Sequence, residues 1–273
     1  MPFAPNGLVA LTTDFGGREP FVGIVKARIL SRFPAARCID LSHGIPAGRA
    51  DLAGFWLGRA WHEFPAGTVH LAVVDPGVGT ARGVVLAETG GQLLLAPDNG
   101  LLPEALRARD GVAWRAMDPA LPARLTLGEL SRTFHGRDLF APLAALLAAG
   151  ELAPADFGPP AAPADPEPLP RATPGTDSGT THIAGRILLA DHFGNLCTNI
   201  DGALLRGYQQ PVVEVAGKHL PLLATYAEAP ERAPLALINA FGLVEIALNG
   251  ASAATELGLA EGAPVSVRDG VRA

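Results

Sequence analysis

Apolar residues recur along this chain in two rhythms, and the change between them divides it. In the first half, short apolar runs alternate with stretches in which apolar residues return every third or fourth position. Leu8 to Thr12 is a strand-length run closed by Asp14-Phe15-Gly16-Gly17, a flexible turn. Pro20 then opens a helix whose apolar stripe is Phe21, Val22, Val25, Ile29 and Phe33, with Lys26, Arg28 and Arg32 largely off it, and Pro34 stops it. Arg37 to Leu41 reads as a second strand. Asp51 precedes Leu52, Phe55, Trp56 and Phe64 on a second amphipathic helix, and Val69, Leu71 and Val73 mark a third strand. Full burial of each large apolar side chain contributes about 1.5 to 3 kcal/mol, so these helices must dock on a sheet. Two further strands are predicted, Val84 to Ala87 and Gln92 to Ala96, and then a helix from Leu139 to Ala149 that Gly150 stops. The alternation predicts an α/β domain over residues 1–152, with a mostly parallel sheet and right-handed crossovers.

From Ala153 to Thr180 the pattern dissolves into prolines (Pro154, Pro159, Pro160, Pro163, Pro166, Pro168, Pro170, Pro174), which leave few backbone donors for helix or sheet. Residues 153–180 are expected to form an extended, semi-rigid linker. Beyond it, Ile183 to Ala190, Val212 to Val215, Leu235 to Ile238, Val244 to Leu248 and Val265 to Val267 are separated by Gly, Pro and Asn. That spacing predicts a small all-β domain over 181–273, a barrel or sandwich.

Candidate chemistry gathers at strand ends. In VVDPGVGTAR, Val73 to Arg82, a strand runs into Asp75, then Gly77 and Gly79, then Arg82. An acid and a base flanking a glycine loop suit a structural ion pair, a phosphate cradle or a catalytic pair. The absence of GKS, GKT and GxGxxG disfavours a nucleotide-phosphate site. Asp14, His43, Asp75 and Asp98 all follow predicted strands. Each alone is well explained as a turn or cap residue, and His43 is given no role; together they predict a pocket at one edge of the sheet. No HxxxH, paired CxxC or EF-hand loop is present, so no metal site is expected.

Composition narrows the function classes. A chain of 273 residues fits two modest domains, and 48% hydrophobic with 18% charged residues is globular rather than disordered. A net charge of -6 without a basic stripe argues against nucleic acid and for a small-molecule substrate. Cys38 and Cys197 lie far apart in apolar segments, the N-terminal MPFAPNGL lacks a basic leader pattern, and no apolar run reaches membrane-spanning length. A cytoplasmic protein without a membrane partner is expected.

These residues resemble the S-adenosylmethionine (SAM) hydroxide adenosyltransferases, adenosine-forming hydrolases related to the fluorinase and chlorinase enzymes. The matching blocks are LTTDFG at Leu11 to Gly16, FVGIVKA at Phe21 to Ala27, DLSHGIP at Asp40 to Pro46, VVDPGVGTAR, APDNGLL at Ala96 to Leu102, TFHGRD at Thr133 to Asp138, DHFGNLCTNI at Asp191 to Ile200 and INAFGLVEIALNGASAA at Ile238 to Ala254. They cover nearly the whole chain in order.

The resemblance implies hydrolysis of SAM to adenosine and methionine, with SAM as substrate and no cofactor. It assigns Asp75, Arg82 and His135 to a triad holding a water or hydroxide beside the ribose C5′. Asp14 matches an acid that holds both ribose hydroxyls. Glu19, standing where an aspartate is common, and Asp191 match acids near the methionine ammonium. Phe193 matches an aromatic stacking on adenine, Asn195 an amide at the adenine edge, and Leu248 with Gly250 the main chain that reads the adenine rim. Halogenating relatives carry a tyrosine at position 75, a threonine at 78 and a serine at 136, where this chain has Asp75, Val78 and Gly136. Ala240 and Phe241 replace a serine and an arginine that meet the amino-acid end in the fluorinase type. The family implies a homotrimer with each pocket between the first domain of one subunit and the β domain of the next. Two rival readings stand beside it, a SAM or adenosine binding protein without turnover and, third, a SAM-dependent halogenase.

Overall fold

The computed structural model describes residues 2–165, 169–177 and 180–270. The chain forms two compact units, Met1–Leu169 and Pro170–Ala273.

The first unit is built on a six-stranded sheet: β1 (Leu8–Thr13), β2 (Arg37–Ser42), β3 (Val69–Val73), β4 (Val84–Thr89), β5 (Gln92–Pro97) and β6 (Ala113–Ala116), in the order β2-β1-β3-β5-β4-β6. Strands β2, β1, β3 and β5 run parallel, while β4 pairs antiparallel with both β5 and β6. The central strands are mostly apolar because both of their faces are covered. On one face Val9, Leu11, Leu71 and Leu95 pack with α1 (Phe21–Arg32) and α5 (Ala141–Ala149) through Val25, Ile29, Leu143 and Leu147. On the other, Ala72, Val74 and Leu94 pack with α2 (Ala50–Ala60) and α3 (Leu101–Ala105) through Ala53, Leu57 and Leu101. The small helices α4 (Leu121–Arg124) and α6 (Pro154–Phe157) complete the unit.

Two details differ from the sequence-based expectation. Helix α2 ends at Ala60 and passes through a 3-10 turn, Trp61–Glu63, so Phe64 lies beyond it in extended backbone, its ring edge-on to His70. The first part of the proline-rich stretch is not a free linker. Phe157 is fully buried in the sheet's core, and the Pro159 carbonyl accepts from Ala116 N–H at 3.1 Å. Proline lacks a donor but keeps its acceptor, which is what the outer edge of β6 requires. Ala164 N–H donates to Asp98 Oδ1 at 2.7 Å, and Leu169 is buried. Residues 166–168 and 178–179 of the expected linker lie outside the described residues.

The second unit is a closed barrel. Its strands are β7 (Thr173–Asp177), β8 (Thr180–Ala190), β9 (Leu196–Asp201), β10 (Pro211–Val215), β11 (Lys218–Leu223), β12 (Pro234–Ile238), β13 (Leu243–Leu248) and β14 (Pro264–Asp269), with one helix, α7 (Ala253–Leu257). The ladder runs β14-β10-β11-β12-β13-β9-β8, and β14 pairs back onto β8 to close seven strands, with β7 appended to β8. Closure removes the exposed edges. Ile183, Ile187, Val213, Val244, Ile246 and Val267 fill the interior. Among the described residues, no helix is long and apolar enough to cross a membrane.

Candidate active site

Parallel strands direct their carboxyl ends to one edge of a sheet, and the loops leaving β1, β2 and β3 meet there. Asp14 follows β1, and Gly48 N–H donates to its Oδ2 at 2.9 Å, which fixes the carboxylate's orientation. Gly48 in turn packs on Pro76, so the Asp14 loop and the Asp75 loop are held by one neighbour. Glu19 is exposed on the Asp14 loop, its carboxylate folded back toward Gly16. His43 is a brace: Nδ1 meets Thr13 Oγ1 at 2.8 Å and Nε2 meets Asp40 Oδ1 at 3.0 Å. Burial raises the Asp40 pKa, but hydrogen bonds from Lys26 and His43 outweigh it and hold this carboxyl below its ordinary value.

At the end of β3, Arg82 Nε lies 3.1 Å from Asp75 Oδ1, with the Asp75 side chain only 8% exposed. Gly77 N–H donates to that same oxygen at 3.0 Å. Both contacts converge on Oδ1. The Arg82 guanidinium lies across the Gly77 Cα, so a Cβ there would force this side-chain end to shift. Gly79 has φ +78° and abuts the Arg132 carbonyl, which brings the 131–135 loop against the Asp75 loop.

His135 ends that loop, immediately before a π-helical turn over Gly136–Phe140 that leads into α5. Asp138 secures the loop: Oδ2 accepts from Ser131 N–H at 3.0 Å and Oδ1 from Arg137 Nε at 2.6 Å. The hydrogen bond from Arg137 holds the Asp138 carboxyl below the usual carboxylate range. Phe15, next to Asp14, packs edge-to-face on Phe134 at 5.9 Å. A Cβ on Gly136 would come within 3.1 Å of Phe15 Cζ, so a side chain there would need the Phe15 and Phe134 rings to give by a few tenths of an ångström. Asp98, at the end of β5, is engaged by Ala164 N–H.

The second unit carries its own cavity of about 510 Å³, lined by Phe193, Asn195, Tyr226, Leu248, Gly250, Ala251 and Ser252. It begins as a tight turn after β8. Asp191 Oδ1 accepts from Phe193 N–H at 2.9 Å and Asn195 N–H at 2.8 Å, and Oδ2 from Asn195 Nδ2 at 3.2 Å. The Asp191 carboxylate therefore shapes the turn. Asn195 is buried and Phe193 is 76% exposed, its ring edge-on to His192 at 5.6 Å. Gly250 has φ +77° in the turn after β13.

The first unit thus brings Asp14, Glu19, Asp75, Arg82 and the His135 loop to one sheet edge, and the second brings Phe193, Asn195, Leu248 and Gly250 around one cavity beside the Asp191 turn. Sequence reasoning missed Gly48, whose backbone N–H is invisible to side-chain reading, and Tyr226, which lies in a short segment with no recognisable motif. The available signal for Tyr226 was a lone aromatic residue in the connection between β11 and β12. Among the described residues, no group of three or more His, Cys, Asp or Glu is placed to hold a metal ion.

Comparison with known proteins agrees across both units. Residues 9–158 match the model of the SAM hydroxide adenosyltransferase N-terminal domain, and residues 185–266 that of the C-terminal domain. The chain is 40% identical to a Thermus thermophilus protein named (R)-S-adenosyl-L-methionine hydrolase, covering 94% of this chain and 98% of that one. It is 38% identical to a protein of the same name from Salinispora arenicola, over 96% of this chain and 98% of the relative. A crystal structure of an uncharacterized protein from Thermotoga maritima superposes with a TM-score of 0.82 at 30% identity, covering 95% of this chain and 99% of that one.

Proposed function

The chain belongs to the SAM hydroxide adenosyltransferase family, and from that premise we propose that it hydrolyses S-adenosyl-L-methionine to adenosine and L-methionine. The observation that carries this reading is the Asp75–Arg82 pair, joined through Oδ1 on a loop that packs against the segment bearing His135. Water donates to the Asp75 carboxylate, Arg82 stabilises the hydroxide character that develops, and His135 takes the proton on its way to solvent. The oxygen lone pair forms the O–C5′ bond as the C5′–S bond breaks, and the bonding pair returns to sulfur as the neutral thioether of methionine. A sulfonium leaving group needs no acid, so the catalytic task is to aim the nucleophile. The reaction so written uses no metal and no cofactor.

Asp14 is proposed to hold the ribose hydroxyls, with Glu19 and Asp191 near the methionine ammonium. Phe193 stacks on adenine, Asn195 meets its edge, and the main chain at Leu248 and Gly250 reads its rim. The relatives' name specifies the R configuration at sulfur, and the R epimer is the proposed preferred substrate here. The α/β unit, Met1–Leu169, is proposed to be catalytic, and the all-β unit, Pro170–Ala273, to hold the adenine. The assembly is proposed to be a homotrimer in which the first domain of one subunit meets the β domain of its neighbour, working in the cytoplasm. Cys38 and Cys197, neither in a disulfide, suit a reducing compartment.

Incubation of the purified protein with separated R and S epimers of SAM in ¹⁸O-water tests the reading. Adenosine carrying ¹⁸O at the 5′ position is expected, formed faster from the R epimer. Bound, unreacted SAM would support the binding-protein alternative and sink the enzyme. Halide in the buffer is expected to yield no 5′-halo-adenosine, since neither Val78 nor Gly136 supplies a hydroxyl.

A further inference from the structure

Strand β13 alternates in and out of its barrel. Val244, Ile246 and Leu248 face the interior, so Glu245 between them points outward. An outward acid on a strand ordinarily meets solvent, yet Glu245 is 3% exposed. Side chains from three other segments close over it. Tyr226 Oη donates to Oε1 at 2.7 Å, and Asn239 Nδ2 donates to Oε2 at 3.1 Å. Cys197, directly opposite on β9, places Sγ 3.9 Å from Oε2.

Burying a carboxylate costs free energy that only well-made hydrogen bonds offset. Such a group therefore marks a place where position matters. Two of its neighbours lead to the cavity. Tyr226 lines the cavity with Phe193 and Asn195, and Cys197 lies two residues along the chain from Asn195. Asn239 uses Oδ1 to take the N–H groups of Phe241 and Leu243, so the carboxylate also fixes the β12–β13 turn. Burial and the bond to Glu245 push the Tyr226 phenol above its ordinary pKa, which keeps it a donor.

We propose that Glu245 is a positioning residue for substrate binding: its buried carboxylate, gripped by Tyr226 and Asn239, sets the Tyr226 ring beside Asn195 so that the cavity keeps the width of a planar base. This rests on the reading that the cavity takes adenine. Glu245 touches no reacting atom, so its effect falls on binding and not on the chemical step.

The test uses the full chain, with kcat and KM for SAM and a calorimetric Kd for adenosine. Glu245→Leu is expected to raise KM and the adenosine Kd by about tenfold while kcat stays within about twofold. Glu245→Gln, which keeps an acceptor for Tyr226, is expected to recover most of that loss. Tyr226→Phe keeps the aromatic ring but removes the hydroxyl that anchors it to Glu245, and is expected to raise Kd by about fivefold. Combined with Glu245→Leu it should add little, because the two act as one unit. Wild-type KM and Kd in Glu245→Leu, or effects that multiply in the double variant, would overturn the proposal. If Glu245→Leu fails to fold, an unchanged Kd in Tyr226→Phe overturns it alone. A wild type that binds adenosine but releases none from SAM sinks the catalytic reading and leaves the Kd measurements decisive. A wild type that binds no adenosine overturns both.

Discussion

At residue 77 one methyl group is enough to separate Asp75 from Arg82, because the guanidinium crosses the Gly77 Cα. Gly77→Ala is therefore expected to swing Arg82 off Oδ1 and lower kcat by at least about a hundredfold, with KM for SAM little changed. Asp75→Asn and His135→Ala should lose turnover while still binding adenosine; rates of adenosine release near wild type in all three would remove the triad from the mechanism. A different residue governs stability in acid. His70 is buried in β3, with Nε2 2.7 Å from Gln92 Oε1, while Gln92 Nε2 donates to the Phe64 carbonyl. The Gln92 oxygen must accept, so Nε2 carries the imidazole proton and Nδ1 is left without a partner. Burial lowers the His70 pKa to about 4, against a smaller upward effect of the Gln92 bond. Between about pH 6.5 and 4 the unfolded chain binds a proton that the folded one refuses, so stability falls as pH drops through that window, by about 3 kcal/mol at its lower end. Urea unfolding at pH 7 and pH 4.5 should show this loss in the wild type, and a flatter response in His70→Asn.

The elements differ in how openly the sequence announces them, and the reason is where their cover comes from. Strands β1, β3 and β5 are buried on both faces, so each is written as a mostly apolar run that needs no context. Strand β9, LCTNID, and strand β11, KHLPLL, carry polar residues and a proline on a barrel wall that other segments complete, and neither has a readable period. The same limit hides Glu245, whose cover comes from Tyr226 and Asn239. Asp75 and Arg82 are seven residues apart and their pairing is local, hence legible. The approach of the His135 loop depends on Gly79 meeting Arg132, a contact no spacing rule encodes. The proline-rich stretch misleads in the opposite sense: its composition says linker, but Phe157 is fully buried and the Pro159 carbonyl completes the edge of β6. Phe157→Ala should accordingly destabilise the first unit by about 3 to 5 kcal/mol, as for an aromatic removed from a core. A loss under about 1 kcal/mol in thermal unfolding would return this segment to linker status.

Across the whole molecule, the candidate machinery is split: the acids, Arg82 and the His135 loop belong to the first unit, and the cavity with Phe193 and Asn195 to the second. A trimer that joins the first unit of one subunit to the second unit of the next predicts complementation between inactive variants. Asp75→Asn damages only the first kind of half-site and Asn195→Ala only the second. When equal amounts are unfolded together and reassembled, a site is intact only where an Asn195→Ala chain supplies the first unit and an Asp75→Asn chain the second. That combination is about one quarter of all interfaces under random assembly. Recovered adenosine release near a quarter of the wild-type rate, in a species whose mass by light scattering is three times that of one chain, is the expected result. No recovery in a well-folded mixed oligomer would mean that each active site is built from a single chain, and the proposed arrangement would fall while the chemistry at Asp75 and Arg82 stood.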